Sequence, residues 1–447
     1  MKRKYTYAAL LLFLIASVSL IVLKYSGSVK AEPTVYPLLP RAAIAPDSKE
    51  WLKVKEEAYK LQQQITANPN DAKSLTQLAT LYIQEARVTG NYAYYDKASM
   101  KLVENALQMD STNLEALVLK SLLYLSQHHF AEGLEMAQHA RNINPYNAFV
   151  YGVCVDGNVE MGNYDSAVAD ADKMLSIRPD IRSYSRASYL REIYGDYKGA
   201  IEAMQMAVSA GAPGVEATEW SRVQLGHLYE NTGEMKYAEM HYSIALQERP
   251  GYAYALAGMA RVASSEKDYK KALAYLQQAD SSVNDFAIKE AIADTYRSMG
   301  EQQKAEAIDK AVITSMTKEA ASGNTDASLG HYVDRELAYA YLQVNDKDNA
   351  LKHAMLEYNR RPDNIDVNEC LAWVYYNRGE YDKALTHIKT ALKTNSKNPT
   401  LLCRAGLIFA KAGDKIVAKA TLQNALMSNP NIPEALKMQS LGALQTL

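Results

Sequence analysis

The segment from Arg222 to Pro250 reads RVQLGHLYENTGEMKYAEMHYSIALQERP and shows the pattern from which the fold can be predicted. It carries a small residue, Gly226, and an aromatic residue three positions later, Tyr229. A turn containing Gly233 separates this first half from a second half that is rich in alanine and ends at a proline. Glycine and proline commonly mark the ends of helices, so the stretch predicts two short helices joined by a tight turn.

The same pattern returns along the chain with a constant period. Pro145, Pro179 and Pro213 are separated by 34 residues each, and Pro362 and Pro430 by twice that distance. A fixed period of this size is typical of a repeat protein in which each repeat is one supersecondary unit. Registering the pattern on the sequence places ten such units.

This pattern resembles the tetratricopeptide repeat, a pair of antiparallel helices with small residues at positions 8, 20 and 27, a large residue at 24 and proline near 32. The resemblance covers most of the chain. It implies an all-α fold, a tetratricopeptide-type right-handed superhelical solenoid of about ten helix hairpins. Stacked hairpins bury a continuous core and leave a concave and a convex face.

Small residues occupy the two positions at which the helices of a hairpin approach each other. Nine of the ten residues at position 8 are small, the exception being Val155: Ala79, Ser121, Val155, Ser188, Gly226, Ala260, Ala293, Ala338, Ala372 and Gly406. All ten at position 20 are small: Ser99, Gly133, Ala167, Ala200, Ala238, Ala272, Ala305, Ala350, Ala384 and Ala418. A larger side chain there would overpack the contact by roughly 1 to 3 kcal/mol.

Tyrosine and glycine support this register. The chain has 32 Tyr against 5 Phe, and many of them fall at positions 11 and 17: Tyr82, Tyr124, Tyr229, Tyr296, Tyr341 and Tyr375, and Tyr164, Tyr197, Tyr269 and Tyr381. Six glycines stand where the first helix of a unit should end: Gly162, Gly195, Gly233, Gly300, Gly379 and Gly413. A left-handed residue is common at that place.

The register divides the chain into seven segments. We expect a signal peptide or membrane anchor at 1–31, a proline-rich linker at 32–47, a capping helix at 48–70, repeats one to seven at 71–312, an irregular connection at 313–330, repeats eight to ten at 331–430 and a C-terminal capping helix at 431–447. The first unit has about eight extra residues around its hairpin tip. The connection includes Ser322, Gly323 and Asn324, where the solenoid could bend.

The N-terminus is typical of an export signal. Lys2, Arg3 and Lys4 precede an uncharged run from Tyr5 to Leu23, whose length lies between a signal-peptide core and a membrane-spanning helix. Cleavage after Ala31 and retention as an anchor are both open. Either way the basic cluster stays inside and the rest is exported, so we expect an extracytoplasmic protein, membrane-anchored or secreted, in the bacterial periplasm or at the cell surface.

Composition argues against several other classes. Lys plus Arg (49) and Asp plus Glu (51) leave a net charge of -2, which does not favour a nucleic-acid partner. Three widely spaced cysteines, Cys154, Cys370 and Cys403, form neither a disulfide framework nor a zinc cluster. Each is interpreted as a small packed hydrophobe.

Neither catalytic nor cofactor-binding motifs stand out. The sequence has no phosphate-binding loop, dinucleotide fingerprint, HExxH, GxSxG or EF-hand loop, so we predict a protein that is not an enzyme and uses no cofactor or metal. His128 and His129 are expected in an exposed turn, and His353 and His387 share position 23 of consecutive units. An alternative hypothesis is a metal- or cofactor-handling accessory factor of the cell envelope that uses His and Met.

Binding is expected on the inner face of the first helices, as the resemblance implies for positions 2, 5, 9, 12 and 13. Aromatic and arginine side chains there are typical anchors for peptides. They are Tyr189, Trp220, His227, Tyr254, Arg261, Tyr332, Arg335, Tyr339, Trp373 and Tyr376. The family's carboxylate clamp combines Lys or Arg at position 5 with Asn at position 9, and only Arg335 matches the first of these. The sequence therefore predicts a non-catalytic, exported or membrane-tethered scaffold that binds proteins or peptides of the cell envelope.

Overall fold

The computed structural model describes residues 36–42, 48–322, 330–429 and 432–447. Its contacts divide the chain into two compact units, Met1–Leu39 and Pro40–Leu447, and the second holds every described helix. The described residues form 22 helices and no strand. The predicted signal or anchor segment at 1–31 and most of the predicted linker lie outside the described residues.

A single helix, α1 (Lys49–Ala67), precedes ten hairpins, and another, α22 (Glu434–Thr446), follows them. The first five hairpins are α2 (Ala72–Thr89) with α3 (Tyr92–Met109), α4 (Leu114–Ser126) with α5 (Phe130–Ile143), α6 (Ala148–Glu160) with α7 (Tyr164–Ile177), α8 (Ile181–Ile193) with α9 (Tyr197–Ala210), and α10 (Glu216–Asn231) with α11 (Met235–Glu248). The other five are α12 (Ala253–Ser265) with α13 (Tyr269–Asp280), α14 (Phe286–Ser298) with α15 (Gln302–Ser322), α16 (Asp334–Gln343) with α17 (Lys347–Arg360), α18 (Ile365–Arg378) with α19 (Tyr381–Ala391), and α20 (Pro399–Lys411) with α21 (Lys415–Ser428). The predicted all-α solenoid of ten hairpins is confirmed.

Each hairpin is closed by the small residues of positions 8 and 20, all of which are buried. At Gly226 there is no room for a methyl group, because a Cβ would lie 2.5 Å from Cε1 of Tyr242. Where position 8 is serine, its hydroxyl donates to the carbonyl of position 20, as Ser188 Oγ does to Ala200 O at 2.7 Å. The contact is therefore both tightly packed and, in such hairpins, hydrogen-bonded.

A left-handed residue ends the first helix of most hairpins, as the glycines predicted. The six expected glycines have φ between +77° and +91°. The same place in three other hairpins is taken by His128, Lys267 and Asn345, with φ of 61°, 62° and 58°. Asparagine and histidine adopt this conformation more readily than most residues, but lysine is unusual there, so the turn geometry at Lys267 is imposed by the hairpin as a whole.

Two hairpins depart from the common length. The first has helices of 18 residues each, so its extra residues lengthen both helices rather than the turn between them. The seventh ends in a helix of 21 residues, α15. This helix continues through Ser322, so the first part of the interval expected to be an irregular connection, 313–330, is helical.

Successive turns of the solenoid touch each other along what we call the turn-to-turn seam. In the seam, hairpin tips of repeats one to four contact the loops that lead into repeats seven to ten. Backbone N–H groups of the later loops donate across it: Asn284 to Thr89 O at 3.0 Å, Tyr332 to Gln127 O at 3.1 Å, and Ile365 to Tyr164 Oη at 2.9 Å. The partners lie about 200 residues apart, which is roughly six repeats.

Side chains add to the seam. The Arg361 side chain is almost fully buried, pairs with Glu160 and Glu357, and lies 4.3 Å from the centre of the Phe130 ring. Removing one partner of such a buried pair typically costs about 3 to 5 kcal/mol, since the other charge remains buried. We therefore expect the seam to contribute substantially to the stability of the protein.

The expectation that His128 and His129 lie in an exposed turn is wrong, because the turn is part of the seam. His129 is 3 % exposed. Its Nε2 lies 2.5 Å from Gly330 O, and His128 Nδ1 lies 2.7 Å from Tyr332 O. A carbonyl only accepts, so both ring nitrogens donate. The sequence register does not show this contact because it joins repeats that are distant along the chain.

We expect Gly162→Ala to destabilise the protein more than Gly379→Ala. Both glycines are left-handed, with φ of +80° and +81°, so alanine costs about 1 to 2 kcal/mol at either site. At Gly162 a Cβ would also lie 2.5 Å from the carbonyl carbon of Asp363 across the seam, whereas at Gly379 no described atom lies within 4 Å. The extra cost should be roughly 1 to 3 kcal/mol.

Thermal unfolding of the two variants, followed by circular dichroism, measures this difference. Equal losses in melting temperature would show that the seam does not contribute to stability in solution.

Candidate functional site

The inner face of repeats one to five encloses a large groove, which we call the first-helix channel. Its volume is about 2160 Å³. The first helices α2, α4, α6, α8 and α10 form its walls, and α1 and the loop before α10 lie at its mouth. The channel is therefore built from the face on which the sequence predicted binding.

An apolar surface lines much of the channel. Its centre is α4, which carries Val118 and Leu122 at positions 5 and 9, and its neighbours are Ile83, Phe149 and Trp220. Leu122, Ile83, Phe149 and Trp220 keep part of their surface exposed. Burying such surface is favourable by about 25 cal/mol per Å², so a partner that covers it gains binding energy. Contiguous apolar patches of this kind commonly mark interaction sites.

Ion pairs beside the channel attach Arg41, a residue of the predicted linker, to α1 and α2. Arg41, from the predicted linker, is 8 % exposed and bonds Glu85 at 2.5 Å. It also bonds Glu50 at 2.8 Å and lies 5.1 Å from the centre of the Trp51 ring. Arg249 reaches the same Glu50 at 2.9 Å from repeat five. At Arg41 the predicted linker is thus attached to α1 and α2, and through Glu50 to repeat five, and is not a free tether.

Most arginines inside the channel are neutralised by carboxylates of neighbouring helices. Arg87 pairs with Glu216 at 3.3 Å, and Arg186 with Asp156 at 2.5 Å. Arg182 differs, because within the described part of the chain it makes no ion pair. Its guanidinium instead lies 4.6 Å from the centre of the Phe149 ring. Burial, and then the positive charges of Arg186, Arg178 and Arg87, lower the pKa of Arg182 despite an opposing effect of Asp180.

Phe149 and Arg182 were not among the residues predicted for binding. Both occupy position 2, the register position of Trp220 and Tyr254, so the register alone was sufficient to find them. Leu122 and Ile83 were also missed, at positions 9 and 12, because aliphatic side chains on a helix do not differ from ordinary core residues in the sequence.

Two of the ten predicted residues, Tyr189 and Trp220, line the channel. Tyr189 is 40 % exposed, yet the surrounding protein and the carboxylates of Asp366 and Glu160 raise its pKa well above the usual value. The Trp220 ring has the Arg87 guanidinium 5.9 Å from its centre. Both present an aromatic surface to a ligand.

His227, Tyr254 and Arg261 lie next along the inner face, where they contact their neighbours. Glu230 joins two of them, with its Oε2 2.8 Å from His227 Nδ1 and 2.9 Å from Arg261 Nε. Tyr254 packs edge-on against Tyr252 at 5.6 Å. None of these three residues lines the described channel.

Tyr332 and Arg335 begin repeat eight and belong to the seam and its surroundings. The Tyr332 ring lies 4.1 Å from that of His129 and 3.9 Å from the guanidinium of Arg360. Arg335 pairs with Glu336 at 3.2 Å and Asp366 at 3.4 Å. The two side chains, which the sequence predicted to bind a partner, are therefore already in contact with neighbouring residues of this chain.

Tyr339, Trp373 and Tyr376 come together around Arg404, a residue that was not predicted. The Arg404 guanidinium lies 5.0 Å from the Tyr339 ring and 5.3 Å from the Trp373 ring, and it donates to Tyr339 Oη at 3.0 Å. Glu369 pairs with Arg404 at 2.7 Å. Trp373 stacks on Tyr376 with centroids 4.8 Å apart. This cluster is a second inner-face surface, separate from the residues that line the channel.

The histidines at position 23 have a packing role. Each stacks on the tyrosine at position 11 of its own hairpin, with centroids 5.4 to 5.7 Å apart: His241 on Tyr229, His353 on Tyr341 and His387 on Tyr375. In the described residues no three His, Cys, Asp or Glu side chains are grouped to hold a metal ion. The three cysteines are buried, and burial raises the pKa of Cys154 and Cys370 to about 12.

One acid of the channel wall has an unusual environment. Asp96 is 3 % exposed, accepts from Ser126 Oγ at 2.8 Å, and faces His331 and Glu319. Burial raises its pKa to about 7. Its ordinary value in an unfolded chain is about 3.9. Asp96 therefore binds its proton more tightly in the folded protein.

We expect Asp96→Asn to remove part of the pH dependence of stability. Because the folded pKa is raised, the contribution of Asp96 is fully present below about pH 4 and is lost as pH rises through about 7. Between pH 5 and 8 the wild type should lose roughly 2 to 3 kcal/mol that the variant keeps.

Urea unfolding at a series of pH values tests this, with the exposed Glu115→Gln as control. A variant that follows the wild-type profile would contradict the assignment to Asp96.

Comparison with known proteins gives similarity only at the level of solved structures. No protein-family model and no curated protein sequence matches the chain. A tetratricopeptide repeat protein from Parabacteroides merdae is 19 % identical, with coverage of 58 % of this chain and 97 % of that one and a TM-score of 0.38. The Cut9–Hcn1 complex is 12 % identical (90 % and 94 %, TM-score 0.38), and a thermophilic tetratricopeptide protein of Thermus thermophilus is 20 % identical (42 % and 97 %, TM-score 0.36).

The fold assignment rests on the chain's own helix hairpins, which resemble the tetratricopeptide repeat. None of the described helices is long and apolar enough to cross a bilayer.

Proposed function

We propose that this protein is a non-catalytic scaffold that binds protein or peptide segments on its inner face, with the first-helix channel as the principal site. The observation that carries the proposal is the channel itself, about 2160 Å³ and lined by exposed parts of Ile83, Leu122, Phe149 and Trp220. Tyr189 and Trp220 add the rigid aromatic surface that protein interfaces favour.

The size of the channel favours a macromolecular segment over a small molecule. Pockets for small molecules are typically about 300 to 1,000 Å³. A helix 10 to 12 Å across rises 1.5 Å per residue, so the channel volume of about 2160 Å³ corresponds to roughly four helical turns. A partner segment of that length would cover the apolar surface of α4 and its neighbours.

We expect the double variant Tyr189→Ala, Trp220→Ala to lose the partner in a cross-linked pull-down from envelope extract quantified by mass spectrometry. Truncating two central aromatic residues typically weakens an interface by at least about 2 kcal/mol, or roughly 30-fold. Tyr59→Ala is the matched control, because Tyr59 is a 65 % exposed tyrosine that does not line the channel.

A third variant locates the alternative site. Loss of the partner in Arg335→Ala, Trp373→Ala, with retention in the channel variant, would move binding to the inner face of repeats eight and nine. Retention in both would contradict the inner-face proposal.

The proposal includes export or membrane tethering, which the sequence supports. Lys2, Arg3 and Lys4 followed by the uncharged run from Tyr5 to Leu23 have the order of an export signal. Such an address matches a scaffold for envelope proteins.

We expect the full chain expressed in bacteria to be protected from protease in intact cells with a closed outer membrane and to become accessible after osmotic shock. A variant lacking residues 2–23 should remain in the cytoplasm. Carbonate extraction separates the two open possibilities, since an uncleaved anchor stays with the membrane and a cleaved protein does not. Equal fractionation of the full chain and the deletion variant would contradict export.

A further inference from the structure

A second, smaller cavity opens beside the first-helix channel and shares part of its wall. Its volume is about 390 Å³, and it lies between the loops that lead into α6 and α8. Asn147, Phe149 and Arg182 line both cavities. These three residues form the wall that the two cavities share, so a ligand that lies across them can contact both. We call the smaller cavity the side cleft.

The side cleft has a mixed lining of five apolar residues and five polar or charged residues. Tyr146, Phe149, Met174 and Ile177 form its sides, and the Tyr146 side chain is 79 % exposed at the rim. A volume of about 390 Å³ accommodates a large side chain with adjacent backbone. An aliphatic or aromatic residue is the chemical group that matches these walls.

Arg182 lies where the two cavities meet, close to the Asp180 carboxylate that also lines the side cleft. Of the five arginines that line the channel, Arg41, Arg87, Arg186 and Arg249 pair with carboxylates. Arg182 makes no such pair with any described residue. Arg182 is an exposed residue, and its guanidinium lies 4.6 Å from the centre of the Phe149 ring.

The other basic residue of the side cleft is already engaged. Arg178 pairs with Asp180 at 3.4 Å and is 75 % exposed in its side chain. Arg182 is therefore the group in the side cleft that a carboxylate from outside would satisfy. Guanidinium groups bind carboxylates through two parallel hydrogen bonds, which orients the partner as well as attracting it.

We propose that the side cleft selects the partner: it binds an acidic, apolar peptide segment whose large side chain enters the cleft and whose neighbouring Asp or Glu carboxylate pairs with Arg182. The rest of the segment lies in the first-helix channel, so the inference rests on the proposed function. The positive charge of Arg182 and the apolar residues of the cleft, such as Phe149 and Ile177, favour a ligand of this chemistry.

Fluorescence anisotropy with the full-length protein tests the proposal. The probes are a labelled twelve-residue peptide of leucine, alanine and glutamate with blocked ends, and the same peptide with glutamine in place of glutamate. A third probe is the glutamine peptide with a free C-terminal carboxylate. We expect the glutamate peptide to bind about tenfold more tightly than the blocked glutamine peptide at low salt.

The preference should disappear in Arg182→Gln and remain in Arg178→Gln, which removes the same charge from the same cleft. Arg182 is exposed on the surface of α8, so circular dichroism should show both variants folded as the wild type. Tight binding of the free-carboxylate peptide alone would overturn the assignment to an acidic side chain and indicate recognition of a chain terminus.

The peptide experiment distinguishes failure of the role proposed for Arg182 from failure of the proposed function of the channel. If both blocked peptides bind equally, or if the two variants lose the preference equally, the channel binds peptides but the role of Arg182 is overturned. If no peptide binds at micromolar concentration, the proposed function of the channel fails and the inference fails with it.

Discussion

Everything in this structure depends on the close approach of two helices at positions 8 and 20 of each hairpin. Alanine, glycine and serine meet there, with Val155 as the one exception, and at Gly226 even a methyl group would collide with Tyr242. Large side chains fill the space beside this contact: the buried Tyr242 packs on Gly226 of its own hairpin and on Gly258 of the next repeat. The same contact repeated ten times generates a solenoid whose first helices all face inward.

The turn-to-turn seam converts an open solenoid into a structure with a bounded interior. In arrays that contact only their neighbours, the pitch is set by small rotations at each repeat. Here backbone hydrogen bonds such as Asn284 N to Thr89 O, and the buried group of Arg361 with Glu160, join repeats about 200 residues apart. Both irregular repeats take part in the seam. The long first hairpin contacts Asn284. The insertion after repeat seven precedes the segment that contacts His128 and His129.

The binding residues predicted from the register illustrate how far such a prediction extends. Of the residues that it selected, Tyr189 and Trp220 line the first-helix channel. The register also selected Arg261 and Arg335 as residues that bind a partner. In the structure these arginines pair with Glu230 and Asp366 on neighbouring repeats. The register gives the face of a helix for each side chain, but it does not give the partners that the adjacent helix supplies. Arg182 shows the converse, since it is distinctive because it forms no ion pair with any described residue, although Asp180 lies close enough to affect its pKa.

The helix hairpins, their number, their small-residue contacts and their left-handed turns can be predicted from the amino-acid sequence, because all of these follow from interactions within about 34 residues. The seam, the enclosed channel and the set of unpaired charges become visible only in the folded chain. Those features depend on contacts between repeats about six units apart and on the summed rotation between repeats. Side-chain packing at each interface sets that rotation, and no single repeat contains the information.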